Sequence, residues 1–421
     1  MTGGITLSVK VLMGKKGFEE FATIVGFTEA EKEERGALLE QSYMPFKVTR
    51  YYAELIASQS EPYRTQMINI VLPPPGVKPY KGRFDPYGNK SYRQDETAFL
   101  QHKYKKTLLL HIDDFCIANC QFCYKVNEIR HEDIGYTNIM DKAERAVQYL
   151  EAHPYIDNVL FTGGDPASFR KTSDLIKLIS TLLSVKSIRL VRFATKALAY
   201  DPARFLDGEL LAFFDQVRQT PGKQVSVISQ FNHPGEISDV SIQATQALLS
   251  VGVQIRGQPA IIRGVNDSVE TLIDLQRKFL DNRIISYYLT VFMPVRGVEQ
   301  YAIPLDEAFR NVAESKRNLG GLEKKGVLLT SHDFGKLEIC GFYPTAERPE
   351  KIVLKWHQAV GPDYLPERLK ELIPTRSEDL MILDYKQGEM YCLDHVFEHN
   401  GLPYVNADGE IVENLPSEAV R

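Results

Sequence analysis

Three of the chain's five cysteines fall within eight residues, Cys116-Ile-Ala-Asn-Cys120-Gln-Phe-Cys123, with the spacing C-x3-C-x2-C. Thiolates are soft ligands that suit zinc or iron–sulfur clusters. A closed structural zinc site would want four ligands, and neither a fourth cysteine nor a well-spaced histidine lies nearby. Three thiolates leave one iron of a four-iron cubane without a protein ligand, which is what a chelating substrate needs. A disulfide framework would instead spread paired cysteines along a short secreted chain. Of the other two cysteines, Cys340 reads as a packed core thiol. Cys392 with His395 and His399 offers three donors and no fourth, so that stretch reads as a helix with a buried cysteine and surface histidines. A second chemical feature is Phe161-Thr162-Gly163-Gly164-Asp165-Pro166, where paired glycines let the backbone approach a ligand closely. Lys336, after Gly335, reads on its own as a surface lysine.

Elements must bring these residues together. From Lys106 onward, short apolar runs (KTLLLHI, NVLFTGG, IRLVRFA, VSVISQF, VQIRGQPAII and ISYYLTVF) alternate with helical stretches at 141–153, 172–184, 240–250 and 268–281. Buried strands alternating with helices predict an α/β fold with a parallel sheet. Six such units predict a partial (β/α)6 TIM-type barrel, with chemistry at the C-terminal ends of its strands. The cysteines follow the first strand, the Gly-Gly turn ends the second, and Thr195, Gln230 and His233 lie at later strand ends. Helical patterning covers 18–39 and 51–58, and the Pro-, Gly- and Tyr-rich stretch 73–98 reads as an irregular arm. The expected division is an N-terminal helical region and arm over 1–103, a barrel over 104–345, and a C-terminal α+β extension over 346–421.

A net charge of -5 gives no support for nucleic-acid binding. No apolar run approaches the roughly 20 residues that span a bilayer. The first residues lack the apolar core and cleavage site of a secretory signal. A cytoplasmic enzyme without a membrane partner is the expectation.

The cysteine spacing, with Phe122 before the third thiol, resembles the radical S-adenosylmethionine superfamily. In that superfamily the free iron binds the methionine amino and carboxylate groups, and an electron passed into the sulfonium releases a 5′-deoxyadenosyl radical. The resemblance implies a [4Fe-4S] cluster on Cys116, Cys120 and Cys123, and S-adenosylmethionine contacts from Phe122, Gly163, Gly164, Asp165, Thr195, Gln230 and His233.

It narrows further. Phe46–Ile56 with its Tyr51-Tyr52 pair, His102-Lys-Tyr104, Phe231-Asn-His-Pro-Gly-Glu236, Arg263-Gly-Val-Asn-Asp267 and Tyr287-Tyr288 form an ordered series similar to the lysine 2,3-aminomutase family. That family holds pyridoxal 5′-phosphate on a lysine after a Gly-rich stretch, and Lys336 stands in its place. Gln258, Arg263 and His102 are then expected at the same cofactor. The family's arginine for the substrate carboxylate corresponds to Lys125, which keeps the charge but not the bidentate fork. Thr107 and Lys103 replace arginines. Met293 and Leu329 replace the two aspartates that receive a lysine substrate's distal ammonium; against them that ammonium would be buried unpaired. The implied activity is a 2,3-aminomutase, an isomerase, for an α-amino acid with an apolar or aromatic distal part. The alternative keeps the fold and cleaves S-adenosylmethionine for epimerisation, oxidation or decarboxylation, consuming it. Either would draw electrons from a donor such as flavodoxin or ferredoxin, and relatives often associate as oligomers.

Overall fold

The computed structural model describes residues 9–76, 81–94, 99–127, 139–168, 171–360 and 380–412. Parts of the expected arm (77–80, 95–98) and of the C-terminal region (361–379, 413–421) lie outside the described residues.

Alternation within each apolar run decides which face is covered. In Thr107–Asp113, Leu108, Leu110 and Ile112 are completely buried on one side. Thr107, Leu109 and His111 take the other, as period-two side chains must. An antiparallel edge strand, Leu100–Tyr104, pairs with this strand. The order then runs in parallel through Asn158–Gly163, Leu190–Thr195, Gln224–Ser229, Gln254–Gly257 and Ile285–Ser286.

The fifth and sixth parallel strands pass from this sheet into a second one. Gln254–Gly257 breaks at Gln258-Pro259 and resumes as Ala260–Ile261. Pro259 has no N–H to donate to a ladder. Ile285–Ser286 breaks at Tyr287 and resumes as Tyr288–Val291. The resumed pieces pair in parallel with each other, Tyr288–Val291 also pairs in parallel with Val327–His332, and three antiparallel strands follow: Gly335–Pro344, Pro349–Ala359 and Leu380–Asp384. Parallel pairing therefore extends to Val327–His332, one strand beyond the six runs read from the sequence. The hairpin Gly335–Pro344/Pro349–Ala359 carries this second sheet across residue 345.

The helix at Thr172–Ser184 has the expected bounds, and Ile139–Ala152, Asp239–Ser250 and Val269–Asp281 shift by one or two residues. Helices Gly208–Gln219 and Leu305–Arg317 were not anticipated. The second buries a narrow stripe (Leu305, Ala308, Val312, Ser315) in an otherwise charged sequence. The single helical stretch expected over 18–39 is two helices, Gly14–Val25 and Glu29–Glu40. Gly26 ends the first in the left-handed region at φ 73°, and Thr28 with Glu31 forms a reciprocal capping box that starts the second. Among the described residues no helix is long and apolar enough to cross a membrane.

Cys340 is exposed rather than packed in the core. Along its strand Gly335, Leu337 and Ile339 are the buried positions, so plain period-two alternation turns Cys340 outward. Cys392 is buried and precedes the helix Leu393–His399. On that helix Asp394 accepts from His332 Nε2 at 2.8 Å and from Arg83 Nη1 at 2.9 Å. Arg83 also pairs with Asp333, so one buried guanidinium ties the arm, the hairpin turn and the C-terminal helix together.

Candidate active site

The first parallel strand ends at Asp113 and the chain turns directly into the cysteine loop. That loop lies on the Gly-Gly turn. Gly164 N donates to Asp113 O and Asp165 N to Phe115 O at 2.9 Å. A Cβ at Gly163, whose φ is +125°, would run into the Asp113 carbonyl, and one at Gly164 would run into the Phe115 backbone. The paired glycines thus allow the cysteine-loop backbone to approach closely, and both also line the pocket that the cysteines face. Gly163→Ala is expected to destabilise the fold by about 1–3 kcal/mol through the forced backbone conformation alone, with the clash adding to it. A lowered midpoint in chemical denaturation checks this; an unchanged midpoint would show that the loop yields freely.

Cys116, Cys120 and Cys123 all face one pocket, which encloses ≈ 1060 Å³ of open space counted out to its mouth. Phe122, Lys125 and Gln230 share its wall with Gly163, Gly164 and Asp165, and Met293 closes another side. The thiols fit a cationic iron–sulfur core. Burial and then the neighbouring Cys123 push the Cys116 thiol well above its ordinary range. Burial pushes Cys120 up to about 11, partly offset by the Lys196 charge and a hydrogen bond with Tyr200. Soft donors that repel one another as anions are what a bound metal would stabilise.

Other expected residues are engaged locally. Asp165, its carboxyl shifted upward by burial, accepts from Thr195 Oγ1 at 2.5 Å and from Lys196 N at 2.7 Å. Thr195 accepts in turn from Ala197 N, so its hydroxyl braces the strand end and is not on the pocket wall. His233 is fully buried outside that wall, 2.8 Å from Gln66 Oε1, and burial drives its pKa to about 3. Lys125 Nζ donates to Thr162 Oγ1 (3.0 Å) and to Gly163 O (3.1 Å).

Lys336 is not among the residues lining the cysteine pocket. Its ammonium lies 5.1 Å from the centre of the Tyr104 ring and 5.3 Å from that of Tyr288. Burial, and then the nearby Arg192 charge, lower its pKa to about 8. Lys103, also lowered to about 8 by burial, donates to His332 O and to Tyr87 O; Tyr87 lines the cysteine pocket, so Lys103 stands between the two regions.

The residues expected around Lys336 have partners within the protein. Arg263 gives both Nη atoms to Glu307, at 3.1 and 2.7 Å, and its Nε to Ala302 O, which leaves no fork for a phosphate. His102 stacks with Tyr155 and meets Tyr149 and His153 edge-on, with Nδ1 2.9 Å from the Tyr149 hydroxyl. Gln258 donates its backbone N–H to Ser229 O at the bend of the fifth strand. Leu329 is buried on the seventh strand and pairs with Thr290, a pocket residue.

Two polar residues not foreseen are Arg192 and Asn232. Arg192 Nη2 donates to Asn158 Oδ1 (2.5 Å) and Thr107 Oγ1 (3.3 Å), while its buried Nε has no partner among the described residues. An arginine at an inward position of the apolar run IRLVRFA was the available signal. Asn232 lines the cysteine pocket, and its buried Nδ2 likewise has no partner among the described residues. Buried donors left unpaired are rare and usually await a ligand or water.

No protein-family profile matches the chain. A protein named "Putative L-lysine 2,3-aminomutase" from Aquifex aeolicus is 29% identical over 356 residues, 83% of this chain and 91% of that protein. The L-lysine 2,3-aminomutase of Escherichia coli is 30% identical over 50% of this chain and 58% of its own length. That of Clostridium subterminale is 25% identical over 82% of this chain and 80% of its own. Among solved structures, a radical SAM methyltransferase from Sphaerobacter thermophilus covers 55% of this chain and 67% of that one, with 16% identity and a TM-score of 0.35, too slight a likeness to argue from. Near full-length relatives of this name and three clustered thiols at a shared pocket support a radical S-adenosylmethionine, lysine 2,3-aminomutase-like family for this chain.

Proposed function

We propose that this enzyme moves an α-amino group to the β carbon of an α-amino acid whose distal part is apolar or aromatic. The observation that carries the reading is the gathering of three thiols on one pocket that the apolar Val291-Phe292-Met293 stretch also lines. Cys116, Cys120 and Cys123 would hold a [4Fe-4S] cluster. The 163–165 turn, Phe122, Gln230 and the unpaired Asn232 amide would receive S-adenosylmethionine. Lys336 would hold pyridoxal 5′-phosphate, with Arg192 and Lys103, in place of Arg263 and His102, as the cations nearest its phosphate. When bound, these groups supply a primary carbon radical and a conjugated nitrogen through which an amino group can migrate.

What the chain's own residues do follows from their chemistry. Lys125 offers a substrate carboxylate a point charge without a fork. Met293 and Leu329, 2% and 1% exposed, would leave a distal ammonium unpaired and so turn lysine away. Phe122, Phe292 and Met44 keep water from the space beside the thiols. In this reading the bent parallel sheet is a partial barrel of the TIM type, and a one-electron donor of flavodoxin or ferredoxin class serves it.

One observation favours the second reading, in which S-adenosylmethionine is consumed without amino migration: Lys336 does not line the cysteine pocket. Both are decided by anaerobic reconstitution with iron and sulfide, then mass spectrometry of products from a pool of the standard amino acids. A β-amino isomer of an apolar or aromatic residue is expected. Isomerised lysine would overturn the substrate class, and stoichiometric 5′-deoxyadenosine without an isomer would favour the second reading. Met293→Asp is expected to lower kcat/KM for that substrate at least about tenfold by setting a buried carboxylate against an apolar group, with the cluster spectrum unchanged. An unaltered kcat/KM would remove Met293 from the substrate wall.

A further inference from the structure

The third parallel strand ends at Thr195, and the chain turns at once into a short helix, Ala197–Tyr200, that delivers a phenol to the cysteine loop. The Tyr200 hydroxyl lies 3.1 Å from Cys120 Sγ, and both residues line the main pocket. Its position is well determined. Tyr200 is 2% exposed; its ring meets Tyr52 edge-on at 4.7 Å, and its backbone carbonyl accepts from the buried Thr49 hydroxyl at 2.7 Å. The neighbouring phenol, Tyr52, is committed elsewhere, donating to Glu236 Oε1 at 2.7 Å. The sulfur is therefore the Tyr200 hydroxyl's one hydrogen-bond partner among the described residues. With a free thiol either atom could donate. A metal-bound thiolate has no proton, so the phenol must then be the donor.

We infer that Tyr200 is a positioning residue that acts through Cys120, setting the reduction potential of the cluster held there; this rests on the reading of the three cysteines as cluster ligands. A hydrogen bond to a ligating sulfur stabilises the more negative, reduced cluster more than the oxidised one, and so raises the potential. The step concerned is addition of one electron from an external one-electron donor to the oxidised cluster; no proton moves and no bond is made or broken. A hydrogen bond to a charged acceptor is stronger than one between neutral groups. The part that differs between the two cluster states is taken as about tenfold in the reduction equilibrium, or 59 mV for one electron. Lys196, whose ammonium lies 5.2 Å from the Tyr200 ring centre, also favours the thiolate, but its charge is shared with Glu236 at 2.5 Å.

The test is an anaerobic potentiometric titration of the full reconstituted chain, followed by electron paramagnetic resonance of the reduced cluster. Tyr200→Phe keeps the ring and its packing, and is expected to hold the same iron per chain while its reduction equilibrium falls about tenfold at fixed potential. A difluorotyrosine at position 200, a stronger donor of nearly the same shape, is expected to move it the other way. If the phenylalanine variant loads no iron, the fluorinated one still decides. An intact cluster whose potential moves in neither variant would overturn the role of Tyr200 alone. A wild-type chain showing no iron–sulfur signal would instead sink the cluster reading beneath it.

Discussion

Cys116→Ala, loaded with iron and sulfide without oxygen, is expected to show no site-differentiated four-iron spectrum and to release no 5′-deoxyadenosine. Activity should fall to the uncatalysed background, a loss of at least about 10⁶-fold given the acceleration enzymes supply. The size of the effect comes from the geometry. All three thiols come from one short loop, docked by Gly164 and Asp165 onto the backbone just before Cys116. With one sulfur gone, the remaining two cannot keep three irons bound while a fourth stays open to a chelating ligand. The fold itself should survive, because the loop's docking runs through Asp113 and Phe115 rather than through the thiol. Iron analysis and circular dichroism separate the two effects. A variant that still cleaved S-adenosylmethionine would contradict the assignment of all three ligands.

The second large effect is expected at Lys336. Lys336→Ala should abolish the visible absorption of bound pyridoxal phosphate and all β-amino product, while 5′-deoxyadenosine can still be released. Attachment to an aldehyde needs the neutral amine. Burial and Arg192 lower this lysine from 10.5 to about 8, so it is protonated below that value and free above it. Trapping with borohydride should therefore rise with pH and level off just above 8 in the native chain, whereas an ordinary lysine would keep rising past 10. A midpoint near 10.5, or equal trapping in Lys336→Ala, would move the cofactor to another residue. Arg192→Met provides a finer check, since removing the adjacent positive charge should shift the midpoint upward.

The outline of fold and site was legible where chemistry is local. The cysteine loop follows its strand because a buried run with period-two alternation can be read from a few neighbours, and Thr172–Ser184 has the bounds its pattern predicts. Gly26 and the Thr28-x-x-Glu31 box were also on the page, and passing over them merged two helices into one. What could not be read depends on distant partners. Arg263 looks like a phosphate ligand until Glu307, 44 residues on, takes its guanidinium. His102 looks like a site residue until the helix Ile139–Ala152 supplies Tyr149. The paired glycines were noticed for the right property, but the backbone that Gly163 and Gly164 let in, at Asp113 and Phe115, is about 50 residues away in sequence. Cys340 is a local signal passed over, since alternation with the buried Leu337 and Ile339 already turns it outward. Lys336 stood out through family likeness alone, since one lysine after one glycine has no local signature.

Arg83 couples the two ends of the chain in time as well as in space. Its carboxylate partners are Asp333 and Asp394, 250 and 311 residues downstream. While the polypeptide is being synthesised, neither carboxylate exists until some 250 residues after Arg83, and burying that guanidinium alone would be costly. The arm that carries Arg83 and Tyr87 must therefore stay in water while the earlier strands assemble, leaving the cysteine loop open to incoming iron and sulfide. Only when the helix carrying Asp394 emerges can the arm settle completely, so its closure beside the cysteine loop comes late in synthesis.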